Sequence, residues 1–199
     1  AAVLTGYLAR RVSPLAGLAA GLAFATSLLV IVLAKMAISD ATLLLLTVVA
    51  ALSLREIYLG QGGVVPKTLL WAATGVGILC KGPAILVVLV GLAGVLLVLD
   101  RDRRWVWKTG FWWGIPLALA IGLPWYIVAN LLSDGGLRER FWGYDLYRRF
   151  TEPVEGHGGP PGYYLVTALV GTWPWSAFLA PVGIFAWQNR SSKAVKFLL

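Results

Sequence analysis

Apolar residues run along this 199-residue chain in long blocks, broken only by short polar or charged stretches. Val12 to Ala34 and Thr109 to Leu132 carry no charge, and each reaches the roughly 17 to 25 apolar residues that a bilayer-spanning helix needs. The pattern predicts the end of one span at 1–9 and further spans near 14–34, 38–54, 66–80, 83–99, 110–131 and 163–187. Helices are the open-chain solution, because backbone N–H and C=O groups in lipid must be satisfied within the segment. The fold class is therefore all-α: a polytopic transmembrane helical bundle of about six spans plus a partial one. The chain reads as a single module over 1–199 with one long loop, 133–162.

The region from Thr68 to Leu99 could be one long helix with Lys81 in its middle, and charge decides the matter. If Lys81-Gly82-Pro83 is a turn, one side of the membrane holds Arg10, Arg11, Arg55, Lys67, Arg101, Arg103, Arg104, Lys108, Arg190, Lys193 and Lys196, eleven of the seventeen basic residues. That side has only Glu56, Asp100 and Asp102 as acids, whereas basic and acidic residues balance on the other. Merging the two spans would destroy this asymmetry, and a Gly-Pro pair stops helices in any case. By the positive-inside rule the basic side is cytoplasmic.

Composition supports the same class. The chain is 59% hydrophobic and 13% charged, with a mean hydropathy of +0.78, far from the soluble norm. Its net charge of +8 is the topology signal and asks for no nucleic acid. Trp105, Trp107, Trp112 and Trp113 would anchor the basic interface beside anionic lipid. The single cysteine, Cys80, excludes an internal disulfide. Ala1 to Ala9 lacks a signal-peptide layout, and the chain closes on Lys196-Phe197-Leu198-Leu199 as an apolar run begins. It reads as an internal fragment, incomplete at both ends.

Charges on the other side are few: Lys35, Asp40, Lys81 and a cluster in the loop 133–162. Spans 38–54 and 66–80 are short, about 20 to 25 Å at 1.5 Å per residue, so their ends bearing Asp40 and Lys81 are expected in a wet recess. Ionisable groups at membrane depth are functional candidates by default. A lysine there suits a phosphate or pyrophosphate head group, while the plainer alternative is a Lys35–Asp40 ion pair with a snorkelling Lys81.

In the loop, Leu137, Phe141, Tyr144 and Tyr147 share one helical face, and Arg138, Asp145 and Arg149 another. The pattern predicts a helix flat on the outer interface. Its end carries Arg148 and Arg149, whose guanidinium forks match a lipid-linked phosphate. Further on, Glu155 and His157 sit in a Gly/Pro-rich stretch. They are weak metal-ligand candidates, since the chain has no second histidine, and an exposed histidine in a turn is the plainer reading. No cofactor is called for, although the loop leaves a divalent metal open. The chain shows no phosphate-cradling glycine signature, zinc spacing or Ser/His/Asp arrangement, which argues against soluble nucleotide chemistry.

The order of several short motifs resembles a known family. Lys81-Gly82-Pro83 opens a span, and Leu123-Pro124-Trp125-Tyr126 closes another. Arg149-Phe150-Thr151, His157-Gly158, Tyr163-Tyr164 and Thr172-Trp173-Pro174-Trp175-Ser176 follow. With Arg10-Arg11 and Ile38-Ser39-Asp40 ahead of them, they look like the lipid A aminoarabinose transferase and protein O-mannosyltransferase group. Where relatives often carry Glu followed by His or Asn, this chain has Asp145-Leu146.

The resemblance implies an integral membrane glycosyltransferase that moves a sugar from a polyprenyl-phosphate donor to a lipid, glycan or protein acceptor. It places the work at the periplasmic face of the bacterial inner membrane. It also puts the catalytic carboxylate in the family's first outer loop, upstream of every residue here. An acceptor hydroxyl would displace polyprenyl phosphate at the anomeric carbon, with cations stabilising the leaving phosphate. Lys81, Arg148 and Arg149 are the expected donor-binding cations, Asp40 positions a lysine or the sugar, and Lys35 and Asp145 are secondary. The competing reading is a transporter or flippase for a lipid or small anion, since sparse charges in recesses also mark transport paths. Inverted repeats would support it, and none is visible in the sequence.

Overall fold

The computed structural model describes residues 1–10, 13–35, 39–133 and 162–198. Every regular element among them is helical: α1 (Ala2–Ala9), α2 (Pro14–Thr26), α3 (Leu28–Lys35), α4 (Asp40–Tyr58), α5 (Val64–Lys81), α6 (Ala84–Leu99), α7 (Arg104–Lys108), α8 (Phe111–Gly122), α9 (Pro124–Leu132), α10 (Tyr163–Gly171), α11 (Leu179–Gln188) and α12 (Lys193–Leu198), with a 3₁₀ turn at Trp175–Phe178. The expected all-α, polytopic bundle is observed. Local chemistry sets several ends. The Ser13 hydroxyl accepts the Ala16 N–H at 3.0 Å ahead of Pro14, a side-chain cap beside a proline in the first turn.

Three helices are long and apolar enough to cross a bilayer: α4 with 19 residues, α5 with 18, and α8–α9 together with 22. Two more crossings arise if bent pairs count as single spans, whereas α6 has only 16 residues, about 24 Å. The segment expected as one span at 163–187 is instead broken by 108° between α10 and the stretch from Trp175 to Gln188, and α2 and α3 meet at 57°. In the first case Pro174 has no N–H to continue the ladder. In the second, Thr26 and Ser27 turn their hydroxyls back onto the carbonyls of Leu22 and Ala23, both at 2.7 Å, a bond that competes with the helix.

The two breaks answer each other. The Leu28 N–H donates to the Trp173 carbonyl at 3.3 Å, and the Trp175 indole N–H donates to Thr26 Oγ1 at 2.8 Å. Backbone freed by unwinding thus finds partners inside the protein, as non-helical backbone at membrane depth requires.

The core lies where α4, α5 and α6 meet, around Ala50, Leu54, Ile57, Leu70, Ala73, Ile85, Leu89 and Leu96. Helix α8 closes onto α5 through small residues. A Cβ on Gly75 would stand 2.8 Å from the Ala118 carbonyl, and one on Gly114 would stand 2.0 Å from Trp71 Nε1. Close backbone approach at small residues is how membrane helices gain van der Waals contact without a hydrophobic drive. The Trp71 indole then donates to the Thr109 carbonyl at 2.8 Å, tying the start of α8 to α5.

Two expectations need correction here. Helices α4 and α5 cover 40–58 and 64–81 instead of the expected 38–54 and 66–80, so at 1.5 Å per residue they reach about 28 and 27 Å, closer to the roughly 30 Å hydrocarbon thickness. Trp105 is not a lipid-facing anchor, being 5% exposed against 66% for Trp107. It packs edge-on against Tyr58 at 5.7 Å between ring centroids.

Candidate functional site

The turn between α5 and α6 is formed as the charge argument required. Helix α5 ends at Lys81, and Gly82 takes φ +63°, a left-handed backbone that favours glycine. Pro83 follows and α6 begins at Ala84. Helix α4 runs the opposite way beside α5, with Asp40 in its first turn. The two helix ends therefore bring Asp40 and Lys81 side by side, and the Lys81 ammonium donates to Asp40 Oδ1. Each group also sits at the favourable pole of its own helix, the carboxylate at an N-terminus and the ammonium at a C-terminus.

The pair is half-exposed, with the Lys81 and Asp40 side chains at 38% and 30%. One carboxylate oxygen takes one of the ammonium's three donors, so the group can still donate to an anionic oxygen arriving from the aqueous side. The alternative pairing of Asp40 with Lys35 is not formed. Lys35 ends α3 and is exposed, while Asp40 is engaged by Lys81. Asp145, Arg148, Arg149, Glu155 and His157 lie outside the described residues, as does the expected interfacial helix. Among the described residues no three His, Cys, Asp or Glu side chains converge as a metal site.

A residue that the sequence offered only as part of a motif completes the geometry. The Tyr126 hydroxyl donates to the Ile78 carbonyl at 3.0 Å, one turn before Lys81. The same carbonyl accepts the Gly82 N–H at 2.8 Å. A part-buried tyrosine hydroxyl in an apolar span needs a partner, and that requirement was the available signal.

A second polar cluster occupies the other end of α4. The Tyr58 hydroxyl donates to Asp100 Oδ2 at 2.7 Å, Lys196 stands 3.6 Å from Asp100, and Lys193 lies 3.3 Å from Asp102. Burial alone would raise the Asp100 carboxyl. The Tyr58 hydrogen bond, the Asp102 amide, Lys196 and Lys193 outweigh it and hold the carboxyl below its ordinary value. Asp102 is likewise lowered, first by the Arg104 amide and then by Lys193. Here Arg55, expected in a loop, is helical and buried beside Glu56 at 3.2 Å. This cluster clasps α12 to the loop after α6, at the end of α4 opposite Asp40 and its partner Lys81.

Known proteins resemble this chain in sequence and in fold. The family profile described as dolichyl-phosphate-mannose-protein mannosyltransferase matches residues 2–128. An undecaprenyl phosphate-alpha-4-amino-4-deoxy-L-arabinose arabinosyl transferase of Pseudomonas aeruginosa (strain UCBPP-PA14) is 33% identical over 133 residues, covering 65% of this chain and 23% of its own length. The protein of the same description from Pectobacterium carotovorum subsp. carotovorum (strain PC1) is 28% identical over 132 residues, 66% of this chain and 23% of its own. Among solved structures, ArnT from Cupriavidus metallidurans bound to undecaprenyl phosphate has a TM-score of 0.76 at 21% identity, over 98% of this chain and 36% of that one. That likeness shows the fold. The chain thus spans about a quarter of the length of the curated relatives it matches.

Proposed function

Since this chain belongs to the dolichyl-phosphate-mannose-protein mannosyltransferase family, we propose that it forms part of an integral membrane glycosyltransferase that moves a sugar from a polyprenyl-phosphate donor to a lipid, glycan or protein acceptor. The Asp40–Lys81 pair carries the reading, because it holds an ammonium at the end of the bundle opposite the basic residues. The positive-inside rule makes that end extracytoplasmic, so the chemistry belongs at the periplasmic face of the inner membrane.

In the reaction, an acceptor hydroxyl attacks the anomeric carbon. The bond from that carbon to the phosphate oxygen breaks, and its electron pair leaves with polyprenyl phosphate. Charge grows on the departing phosphate, and a preorganised cation aimed at it lowers the barrier. Lys81 supplies that cation, and Asp40 holds it in place. Arg148 and Arg149 are the further cations proposed for the phosphate, with Lys35 and Asp145 as secondary candidates. Glu155 and His157 are the loop's candidates for a divalent ion. A carboxylate contributed by another part of the enzyme takes the acceptor proton. The relatives reported above are transferases, and the transport reading draws no support from them.

The test is transfer of radiolabelled sugar from a polyprenyl-phosphate donor by the full-length protein in membranes. Lys81→Ala is expected to cut transfer about 10²-fold at normal protein level, in the range for losing one preorganised donor, and Arg149→Ala to weaken it as well. Unchanged transfer in Lys81→Ala would remove the residue from the site. No transfer from any such donor, alongside lipid or anion flux, would favour the transporter.

A further inference from the structure

We propose that Tyr126 is a positioning residue for the donor-phosphate site, its hydroxyl setting the last turn of α5 and thereby the place of the Lys81 ammonium. The inference rests on the reading of Lys81 given above.

The argument starts from a stripe on α8 and α9. Gly114, Ala118, Gly122 and Tyr126 recur every four residues and so lie along one helical face. The first three are small and meet α5 directly. The Cβ position of Gly114 falls on Trp71, that of Gly122 lies 2.9 Å from Ile78 Cγ2, and Ala118 offers its carbonyl to Gly75. At the outer end the stripe changes character. Tyr126 is large, and its hydroxyl reaches the Ile78 carbonyl at 3.0 Å.

That carbonyl occupies a particular place. It accepts the Gly82 N–H at 2.8 Å, the closing bond of α5, and Gly82 is the left-handed residue that turns the chain away. A carbonyl has two lone pairs, so one takes the helix-closing bond and the other the tyrosine. Helix ends fray when their last carbonyls lack partners. Here the end that carries Lys81 is pinned by a side chain 48 residues away in sequence, itself mounted on helices held to α5 by backbone contact. Asp40 fixes the ammonium from one side, and Tyr126 fixes the backbone from which it projects. An error near 1 Å in such a group can cost about 10²-fold in rate.

The test uses the full-length protein, comparing wild type, Tyr126→Phe, Lys81→Met and the double variant. Polyprenyl phosphate binding is read at equilibrium, and donor KM, acceptor KM and melting temperature are read alongside. Tyr126→Phe removes one oxygen and keeps the ring. It is expected to weaken polyprenyl phosphate binding and raise donor KM about 5-fold, the worth of one hydrogen bond, with acceptor KM unchanged and only a small fall in melting temperature. In the Lys81→Met background it should have no further effect, because Tyr126 acts through Lys81. Equal fold losses in both backgrounds, or wild-type binding by Tyr126→Phe where Lys81→Met binds weakly, overturn the role of Tyr126 alone. Wild-type binding by Lys81→Met overturns the phosphate reading and this inference together.

Discussion

Helices α4 and α5 cross the bundle without a break, whereas the segments 14–35 and 163–188 bend by 57° and 108°. The unbroken pair buries Leu54, Ile57 and Tyr58 from one helix and Leu70, Ala73 and Ile78 from the other. Among the described residues, α2 buries only Gly17, α3 buries nothing and α11 buries only Ala186. The two regions solve the same backbone problem differently. Continuous helices satisfy the N–H and C=O groups of their interiors within the segment, and side chains such as Asp40 and Lys81 face each other at the ends. The bent spans leave backbone groups over and satisfy them across the breaks, as the Leu28 N–H does on the Trp173 carbonyl, with the side-chain bond from the Trp175 indole to Thr26 beside it. A fixed ammonium belongs on the first kind of scaffold.

The comparison breaks most severely if the close approach of α8 and α5 is blocked. Gly114→Val would drive a side chain into the Trp71 indole. Overpacking against a ring that is also hydrogen-bonded to Thr109 should cost about 3 kcal/mol or more, read as loss of the monodisperse peak in detergent gel filtration. A folded, fully active variant would show that α8 does not depend on this contact.

Asp40→Asn separates scaffold from chemistry. It keeps the shape but leaves Lys81 without its charged partner, and transfer should fall about 10-fold through misplacement of the ammonium, with the melting temperature within a degree or two of wild type. A large drop in melting temperature without loss of specific activity would make the pair structural.

Trp175→Phe probes the bent region. It deletes the indole N–H that reaches Thr26 and should cost about 1 kcal/mol, seen as a small fall in melting temperature with donor KM unchanged. A rise in donor KM as large as that of Tyr126→Phe would bring the bent spans into the site.

The smallest effect is expected at the end of α4 away from Lys81. The Asp100 carboxyl is held below its ordinary value in the folded protein, so it binds its proton less readily folded than unfolded. Its contribution to stability is then fully present above the ordinary carboxylate value and is lost as pH falls through the lowered one. Asp100→Asn should flatten the acid limb of a melting-temperature profile taken below about pH 5. A profile as steep as that of wild type would assign the acid limb to other carboxylates.

Much of this architecture was legible. Lys81-Gly82-Pro83 could be placed as a turn because only that choice sorted the charges, and Gly82 adopts the positive φ that such a turn uses. The apolar run expected to start a span near residue 14 does so, with α2 beginning at Pro14. The 108° break could have been suspected from Pro174, but a hydropathy reading sees only the apolar run on either side of it. Arg55 was assigned to a loop by its charge, and Trp105 to the lipid interface by its neighbours. Both are buried: Arg55 continues α4 and pairs with its chain neighbour Glu56, while Trp105 meets Tyr58 only after the helices pack.

By itself, the sequence determined that the chain is a membrane-embedded helical bundle, where most helices start and stop, and which end carries the positive charge. Those properties depend on local composition and on the cost of burying unpaired backbone and charge, which are additive along a chain. Only the tertiary structure decided that Asp40 pairs with Lys81 rather than with Lys35, five residues away, and that Tyr126 reaches the turn bearing that lysine. Such pairings depend on which helix ends become neighbours, and that is set by glycine-sized contacts between α5 and α8 and by the antiparallel packing of α4 on α5, for which no local pattern stands in.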